Sequence, residues 1–207
     1  MALSDITTMT LSAGVSCLDY VNTGLEVDSV SVERLHSYMD ILTLAERLSI
    51  LKAADLRKFE SLAKADPLFA QRSLEKGIKL RQVLNKIFTA VVDHSIHEIN
   101  HQDILKLNAW RIEALGGQIL VSQGKTLTLD WAQTRVNLMQ PFWIFTLSAV
   151  DLLQNQSLKY VKRCAGCDWF FYDQSKSHRR KWCDMQSCGS SAKGARYYQR
   201  KKLNLQL

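Results

Sequence analysis

The chain has 207 residues, of which 46% are hydrophobic and 23% charged, a composition typical of an ordinary soluble globular protein. The length suits one domain, or one domain with a small appendage. The net charge of +7 is uneven, because residues 157–202 hold twelve Lys or Arg against three Asp, whereas the remainder holds fifteen Lys or Arg against seventeen Asp or Glu. A basic C-terminal segment is typical of a protein that meets a polyanion at that end.

A membrane-spanning or exported protein is not expected. The longest apolar stretch, PFWIFTLSAVDLL, is too short and too interrupted to cross a bilayer. The N-terminal sequence MALSDITTMT lacks the basic and apolar regions of a signal peptide. We therefore expect a cytoplasmic protein, in which paired cysteines favour metal binding over disulfides.

Apolar residues that recur every three to four positions predict three helices in the first half of the chain. The first covers SVERLHSYMDILTLAERLSIL, with Ser31 as its N-cap. The second covers LKAADLRKFESLAKA and ends at Asp66 and Pro67. The third runs from about Pro67 to His94.

The next segment predicts a fourth helix, a hairpin and a fifth helix. HQDILKLNAWRIEAL is helical and ends at Gly116 and Gly117. QILVSQGKTLTLDW alternates around Gln123 and Gly124, which predicts a β-hairpin. QPFWIFTLSAVDLLQN is the fifth helix, with Pro141 in its first turn.

Four of the five cysteines form two pairs near the C-terminus, Cys164-x2-Cys167 and Cys183-x4-Cys188. Four thiolates at this spacing suit one tetrahedral, structural Zn²⁺ and leave no open position for catalysis. We expect a CxxC knuckle, a hairpin within DWFFYDQSKSHRRKW, and a helix within GSSAKGARYYQRKK that is capped by Ser190 or Ser191. Cys17 is expected to be a buried thiol outside this cluster.

The predicted fold is therefore mainly α. Residues 1–156 form a multihelical domain with a small β-hairpin. Residues 157–207 form a treble-clef-like four-cysteine zinc finger of ββα order. A segment this small depends on its metal for folding energy.

The basic residues of the predicted finger are candidate nucleic-acid contacts. Three are expected on the second hairpin strand and three on one face of the final helix: Arg179, Arg180, Lys181, Lys193, Arg196 and Arg200. The alternative is a solvated basic surface that compensates the charge of the thiolates.

WCDMQSCGSSAKGARYYQRKK and the preceding CAGCDWFFYDQSKSHRRK resemble the zinc finger of the CGNR family. CLDYVNT, LRQVLNKIFTAV, LDWA and PFWIFTLSAVDLL resemble the ABATE domain that precedes this finger in bacterial proteins. The similarity extends from about Leu11 to Arg200. It implies a stress-response transcription regulator whose finger binds DNA, and it implies the zinc ligands Cys164, Cys167, Cys183 and Cys188.

The chain departs from this family at the motif that names it. Where the family has Cys-Gly-Asn-Arg, this chain has Cys188, Gly189, Ser190 and Ser191, and a further family arginine is Ala195. Asparagine and arginine side chains offer fork-shaped donors for guanine or phosphate, so their loss bears on specific DNA binding rather than on zinc binding.

Two other groups of residues are candidate sites. Asp19, Asn22, Arg81 and Trp143 are candidates to line a pocket for a small-molecule effector in the helical domain, although Asp19 and Arg81 could equally form a structural ion pair. HEINH, at 97–101, matches the zincin pattern but lies between two predicted helices. We find no credible catalytic constellation and do not expect an enzyme.

The sequence thus predicts a cytoplasmic bacterial transcription regulator that binds DNA through a zinc finger and senses a small molecule. A homodimer is a further expectation, and a membrane partner is not expected. The alternative is a zinc-stabilised protein-interaction module without sequence-specific DNA binding. RNA binding ranks third, because Trp169, Phe170 and Phe171 are better explained as the core of the finger than as a stacking platform.

Overall fold

A computed structural model describes residues 5–27, 30–131 and 137–194. These residues form a helical body and three separate two-stranded antiparallel sheets. The helices are α1 Ser16–Val21, α2 Tyr38–Arg47, α3 Ala53–Ala65, α4 Pro67–Val92, α5 His101–Gly116 and α6 Gln140–Asn155. The strand pairs are β1 Gly24–Val27 with β2 Val30–Glu33, β3 Gln118–Gln123 with β4 Thr126–Trp131, and β5 Val161–Arg163 with β6 Phe170–Tyr172.

The mainly α fold is confirmed, and so are the predicted bounds of four helices and of the hairpin β3–β4. The starts of α4 and α5 are set by N-cap residues that can be recognised in the sequence. Asp66 ends α3 and its carboxylate accepts a hydrogen bond from the Phe69 backbone N–H, 2.9 Å away, at the start of α4. Asn100 accepts one from the Gln102 N–H at 2.8 Å and begins α5.

The predicted start of the first long helix at Ser31 is wrong. Residues 30–33 form strand β2, which pairs with β1 in a hairpin that was not predicted. Helix α2 begins seven residues later, at Tyr38, where the Asp40 carboxylate accepts hydrogen bonds from the backbone N–H groups of Ser37 and His36 at 2.7 and 2.8 Å. This carboxylate, rather than Ser31, satisfies the donors at the helix start.

Helices α1, α4 and α6 surround the centre of the hydrophobic core. The rings of Tyr20 and Phe145 stack with their centroids 4.5 Å apart, and Phe142 lies 6.2 Å from Tyr20. Gly77 permits this packing, because a Cβ at that position would lie only 2.0 Å from the Phe142 ring. None of the helices in the described ranges is long and apolar enough to cross a membrane.

The C-terminal segment is attached to this core through strand β6. Phe170 is fully buried and its ring lies 6.2 Å from that of Phe88 in α4. The side chain of Asn22, which follows α1, donates to the Phe170 carbonyl and accepts from the Phe170 N–H, both at 2.9 Å. Two residues on, the Tyr172 N–H donates to the Ala13 carbonyl at 2.7 Å. The backbone groups on the edge of β6 that faces away from β5 therefore have hydrogen-bond partners in the N-terminal segment.

Removal of the Asn22 amide should destabilise the protein strongly. We expect Asn22→Ala to lower the free energy of unfolding by about 2–4 kcal/mol, because it leaves two buried backbone groups of Phe170 without partners. Urea unfolding of the two proteins measures the difference. Asn155→Ala, which removes an exposed amide bonded to Asp151, is the matched control and should change stability by less than about 0.5 kcal/mol. Equal effects of the two substitutions would contradict the role assigned to Asn22.

Candidate metal centre and basic surface

The four paired cysteines converge on one point. Their Sγ atoms all lie within 4.8 Å of one another. The Cys167 and Cys183 sulfurs are 3.6 Å apart, and the Cys183 and Cys188 sulfurs are 3.8 Å apart. A tetrahedron of Zn–S bonds of about 2.3 Å has edges of about 3.8 Å, so both the donor set and its size fit zinc.

The first pair lies in the loop that joins β5 and β6. The Cys164 N–H donates to the Trp169 carbonyl at 2.8 Å, and the Gly166 N–H points to the Cys164 sulfur at 3.4 Å. The prediction of a hairpin after the knuckle is therefore wrong. The strands instead flank it, because VKR before the knuckle pairs with FFY after it. Phe170 and Phe171 are fully buried: Phe171 lies in the core of the finger, as predicted, whereas Phe170 lies in the core of the helical body.

The second pair lies where the chain returns as a helical turn. Cys183 is 3% exposed, and Cys188 lies within a π-helical turn, Met185–Gly189, that continues into helical residues 190–194. The turn begins at Asp184, whose carboxylate accepts hydrogen bonds from the N–H and Oγ of Ser187 at 2.7 and 2.6 Å. The prediction that Ser190 or Ser191 is the N-cap is therefore wrong.

Position separates the cluster from the fifth cysteine, which lies in α1. Within the cluster, hydrogen bonds among the sulfurs lower the pKa of the Cys164 thiol below its usual range and raise the pKa values of Cys167 and Cys183, because sulfurs this close do not all ionise together. Cys17 is fully buried, and burial raises the pKa of its thiol to about 12. Metal binding requires thiolates, so Cys17 has the properties of an inert core residue, as predicted.

A buried ion pair holds the loop between the two cysteine pairs. Asp173 is fully buried, and its carboxylate accepts hydrogen bonds from Lys162 Nζ at 2.6 Å, Ser175 Oγ at 2.6 Å and the Arg180 N–H at 2.9 Å. Burial by itself would raise the pKa of Asp173, but the bonds from Lys162 and Ser175 bring it well below its usual range. The loop folds around this carboxylate, so it does not form the predicted second hairpin strand.

The predicted basic residues have different environments. The Arg180 guanidinium turns inward, where it bonds the Cys183 carbonyl and lies 5.2 Å from the centroid of the Phe171 ring. Its neighbours Arg179 and Lys181 are exposed, and so is Lys193 on the helical turn. Arg196 and Arg200 lie outside the described residues.

The sequence reasoning also missed a cation in this region. Lys176 is exposed in the same loop and adds to the basic surface. Its position inside the run KSHRRK is the sequence signal, but the predicted second strand assigns DNA contacts only to Arg179, Arg180 and Lys181 at the end of that run. We define the finger's exposed cations as Lys176, Arg179, Lys181 and Lys193.

The residues predicted to line an effector pocket are engaged within the protein. Asn22 binds Phe170, as described above. Arg81 pairs with Glu33 and bonds the Thr23 hydroxyl at 2.8 Å, so the alternative of an Asp19–Arg81 ion pair is not found among the ion pairs of the described residues.

The other two residues of that set lie in separate environments. Asp19 accepts a hydrogen bond from the Ala13 N–H at 3.2 Å, and burial raises the pKa of its carboxyl to about 7. Trp143 stacks with Trp131, with centroids 6.1 Å apart, and its buried indole nitrogen has no partner in the described part of the protein.

The zincin-like pattern does not assemble a site. Residues Ile96–Glu98 form a short 3-10 turn, whereas His101 begins α5, so the two histidines do not share one helix. Among the described residues, the four-cysteine cluster is the one group of three or more His, Cys, Asp or Glu residues that could hold a metal ion.

Comparison with known proteins identifies the C-terminal part of the chain. Residues 160–201 match the CGNR zinc finger family, and this range contains all four cysteines of the cluster. No curated protein matches the chain. The family match and the sulfur geometry together assign one structural zinc ion to Cys164, Cys167, Cys183 and Cys188.

Loss of one ligand should remove the metal. We expect purified protein to contain about one zinc per chain and Cys183→Ser to contain far less, because a serine hydroxyl is a poor zinc ligand at neutral pH. Hydrogen exchange should show that residues 160–194 lose protection in this variant, since zinc binding and folding are coupled. Elemental analysis of Cys17→Ser is the matched control and should still find one zinc. Full protection without metal would refute the assignment.

Removal of the buried carboxylate should loosen the same segment while leaving its ligands intact. We expect Asp173→Asn to lower the free energy of unfolding by about 2–3 kcal/mol at neutral pH, because it breaks a buried charge pair. Because the pKa of Asp173 lies below its ordinary value of 3.8, this contribution is complete at higher pH and is lost only as the pH falls below that value. Asp168→Asn, an exposed carboxylate, is the control. A similar loss in both variants would exclude a special role for Asp173.

Proposed function

We propose that this protein, which carries a CGNR zinc finger at residues 160–201, is a cytoplasmic transcription regulator that binds DNA through the finger. The observation that carries the proposal is the arrangement of Arg179, Arg180 and Lys181. Arg180 is anchored inward on Phe171 and the Cys183 carbonyl, while both of its neighbours are exposed. Because Arg180 is held inward, Arg179 and Lys181 are the two cations of this run that solvent reaches.

The finger's exposed cations are suited to an electrostatic interaction with phosphates. The internal cations Lys162 and Arg180 are held by contacts within the finger, whereas the exposed cations are available to a partner. A zinc-stabilised scaffold already fixes the backbone that carries these cations, so DNA binding orders their side chains but not that backbone. Binding of this kind is strongly salt-dependent, because each phosphate contact releases counterions.

Sequence readout by the finger should be weaker than in a protein with the Cys-Gly-Asn-Arg motif. Ser190 donates its hydroxyl to the Met185 carbonyl at 3.2 Å, and Ser191 is short and exposed. Neither residue offers the bidentate donors that read guanine. This observation favours, as the second candidate, a zinc-stabilised module that docks on a protein partner.

The helical body is proposed to act as the sensor of the regulator, as its resemblance to the ABATE domain implies. Two contacts of α4 would link such a sensor to the finger. Thr89 accepts a hydrogen bond from Arg163 at 3.2 Å, and Phe88 packs against Phe170. A ligand that shifts α4 would therefore act directly on strands β5 and β6. A role in a stress response is part of the same proposal.

Removal of the exposed cations should weaken DNA binding. We expect Arg179→Gln, Lys181→Gln and Lys193→Gln combined to reduce the slope of log affinity against log salt by about 2–3, since each contact contributes about 0.9. Fluorescence anisotropy with duplex DNA measures this slope. Combined Lys52→Gln, Lys64→Gln and Lys125→Gln removes three exposed lysines elsewhere and should leave the slope unchanged. Equal slopes in the two triple variants would place the interface elsewhere.

Selection from sheared genomic DNA tests the sequence-specific part of the proposal. Zinc-loaded protein is incubated with fragments at near-physiological salt, and the bound fragments are sequenced. Enrichment of sites that share a motif supports a specific regulator despite Ser190 and Ser191. Binding without enrichment, or no binding, would count against it and favour the protein-docking module.

A further inference from the structure

A cleft of about 400 Å³ opens between α4 and α5, on the helical body. Its volume falls in the range of small-molecule sites in proteins. Its lining includes Lys76, Lys79, Lys86, Lys106, Trp110 and Asp103. None of the residues predicted to line an effector pocket is among those that line this cleft.

Helical spacing brings these side chains to one groove. Lys76, Lys79 and Lys86 are separated by three and seven residues and so share a face of α4. Lys106 and Trp110 are four residues apart on α5. The Lys86 Nζ lies 3.7 Å from an Asp103 carboxylate oxygen, which places the end of α4 beside the start of α5. The two helices therefore run back along each other with the cleft between them.

Among the residues that the structure describes, the lysines at one end of the cleft are ion-paired, and those at the other end are not. Asp103 is 5% exposed and pairs with Lys106 at 3.2 Å and Lys86 at 3.7 Å. At the other end, Lys76 and Lys79 have no carboxylate within 4.0 Å in the described part of the chain, although Glu113 also lines the cleft. A small anion could therefore approach these two ammonium groups without displacing an existing ion pair.

Trp110 supplies a flat apolar wall between the two ends. Its ring is half-buried and packs against the hydrophobic core, as does the floor residue Val83, which is 7% exposed. Within the residues that the structure describes, the indole N–H of Trp110 donates to no protein atom. The packed Trp110 ring and its unbonded indole N–H lie beside two lysines that are not ion-paired with any described residue. This arrangement suits a planar ligand with a negative charge.

We propose that this cleft binds a small organic anion whose charged group meets Lys76 and Lys79 and whose flat apolar part lies against Trp110. The shared chemistry is a carboxylate or a phosphate on an aromatic body. The inference deepens the sensor part of the proposed function, on which its regulatory meaning rests. The binding itself is independent of DNA, so its test can fail while the DNA-binding proposal stands.

Titration of the full-length, zinc-loaded protein tests the site. The probes are 2-naphthoate and 2-naphthyl phosphate, which share a ring and differ in their anion, and the neutral control ligand is 2-naphthalenemethanol. The readout is the NMR signal of the Trp110 indole N–H, which is identified by its absence in Trp110→Phe. We expect a saturable shift with a Kd of about 1 mM or lower for at least one anion, and at least about tenfold weaker binding of the neutral compound.

Matched variants separate the cleft from general charge effects. We expect Lys76→Gln with Lys79→Gln to raise the Kd about tenfold, whereas Lys52→Gln with Lys125→Gln, which removes two exposed lysines elsewhere, should leave it unchanged. The tighter of the two anions then identifies the ligand as a carboxylate or a phosphate. The proposal is overturned if neither anion shifts the Trp110 signal saturably, if the neutral compound binds equally well, or if both double variants behave alike.

Discussion

The two hydrogen bonds between the Asn22 side chain and the Phe170 backbone are the contact on which the attachment of the finger to the helical body depends. Both partners are buried, so each backbone group of Phe170 would be costly to leave without a partner. Asn22 belongs to CLDYVNT, and two other residues of this segment also form hydrogen bonds to other parts of the chain. Thr23 accepts from Arg81, and Asp19 accepts from the Ala13 N–H. This segment is therefore a structural junction that joins the N-terminal segment, α4 and the finger.

A second constraint gives the finger its surface. Zinc fixes the two cysteine pairs, and the Asp173 carboxylate organises the loop between them through Lys162, Ser175 and Arg180. Because the loop is held from within, its remaining cations face outward. The basic surface is thus a consequence of how the interior of the finger satisfies one buried carboxylate. The same helix, α4, contacts the finger through Thr89 near its C-terminal end and also lines the α4–α5 cleft.

Local features were predictable where the residues that determine them lie within one short segment. The cysteine spacing named all four sulfurs that converge, because a ligand set is specified by residue type and short separations. Asp66 marked the boundary between α3 and α4. The prediction failed at Ser31, where the predicted helix included SVE, residues 31–33, which belong to strand β2. It failed again after Tyr172, because the basic run does not form the predicted strand but folds around the buried Asp173 carboxylate.

The sequence by itself determined the helical class, the hairpin β3–β4, the zinc ligands and the location of the excess positive charge. These follow from periodicity, turn residues and composition, which act over a few positions. Only the tertiary structure decided that Asn22 supports Phe170, that Arg81 pairs with Glu33 rather than Asp19, and that Arg180 turns inward while Arg179 does not. The direction of a side chain depends on packing partners that are distant in the chain, and no local pattern records which partner will be adjacent.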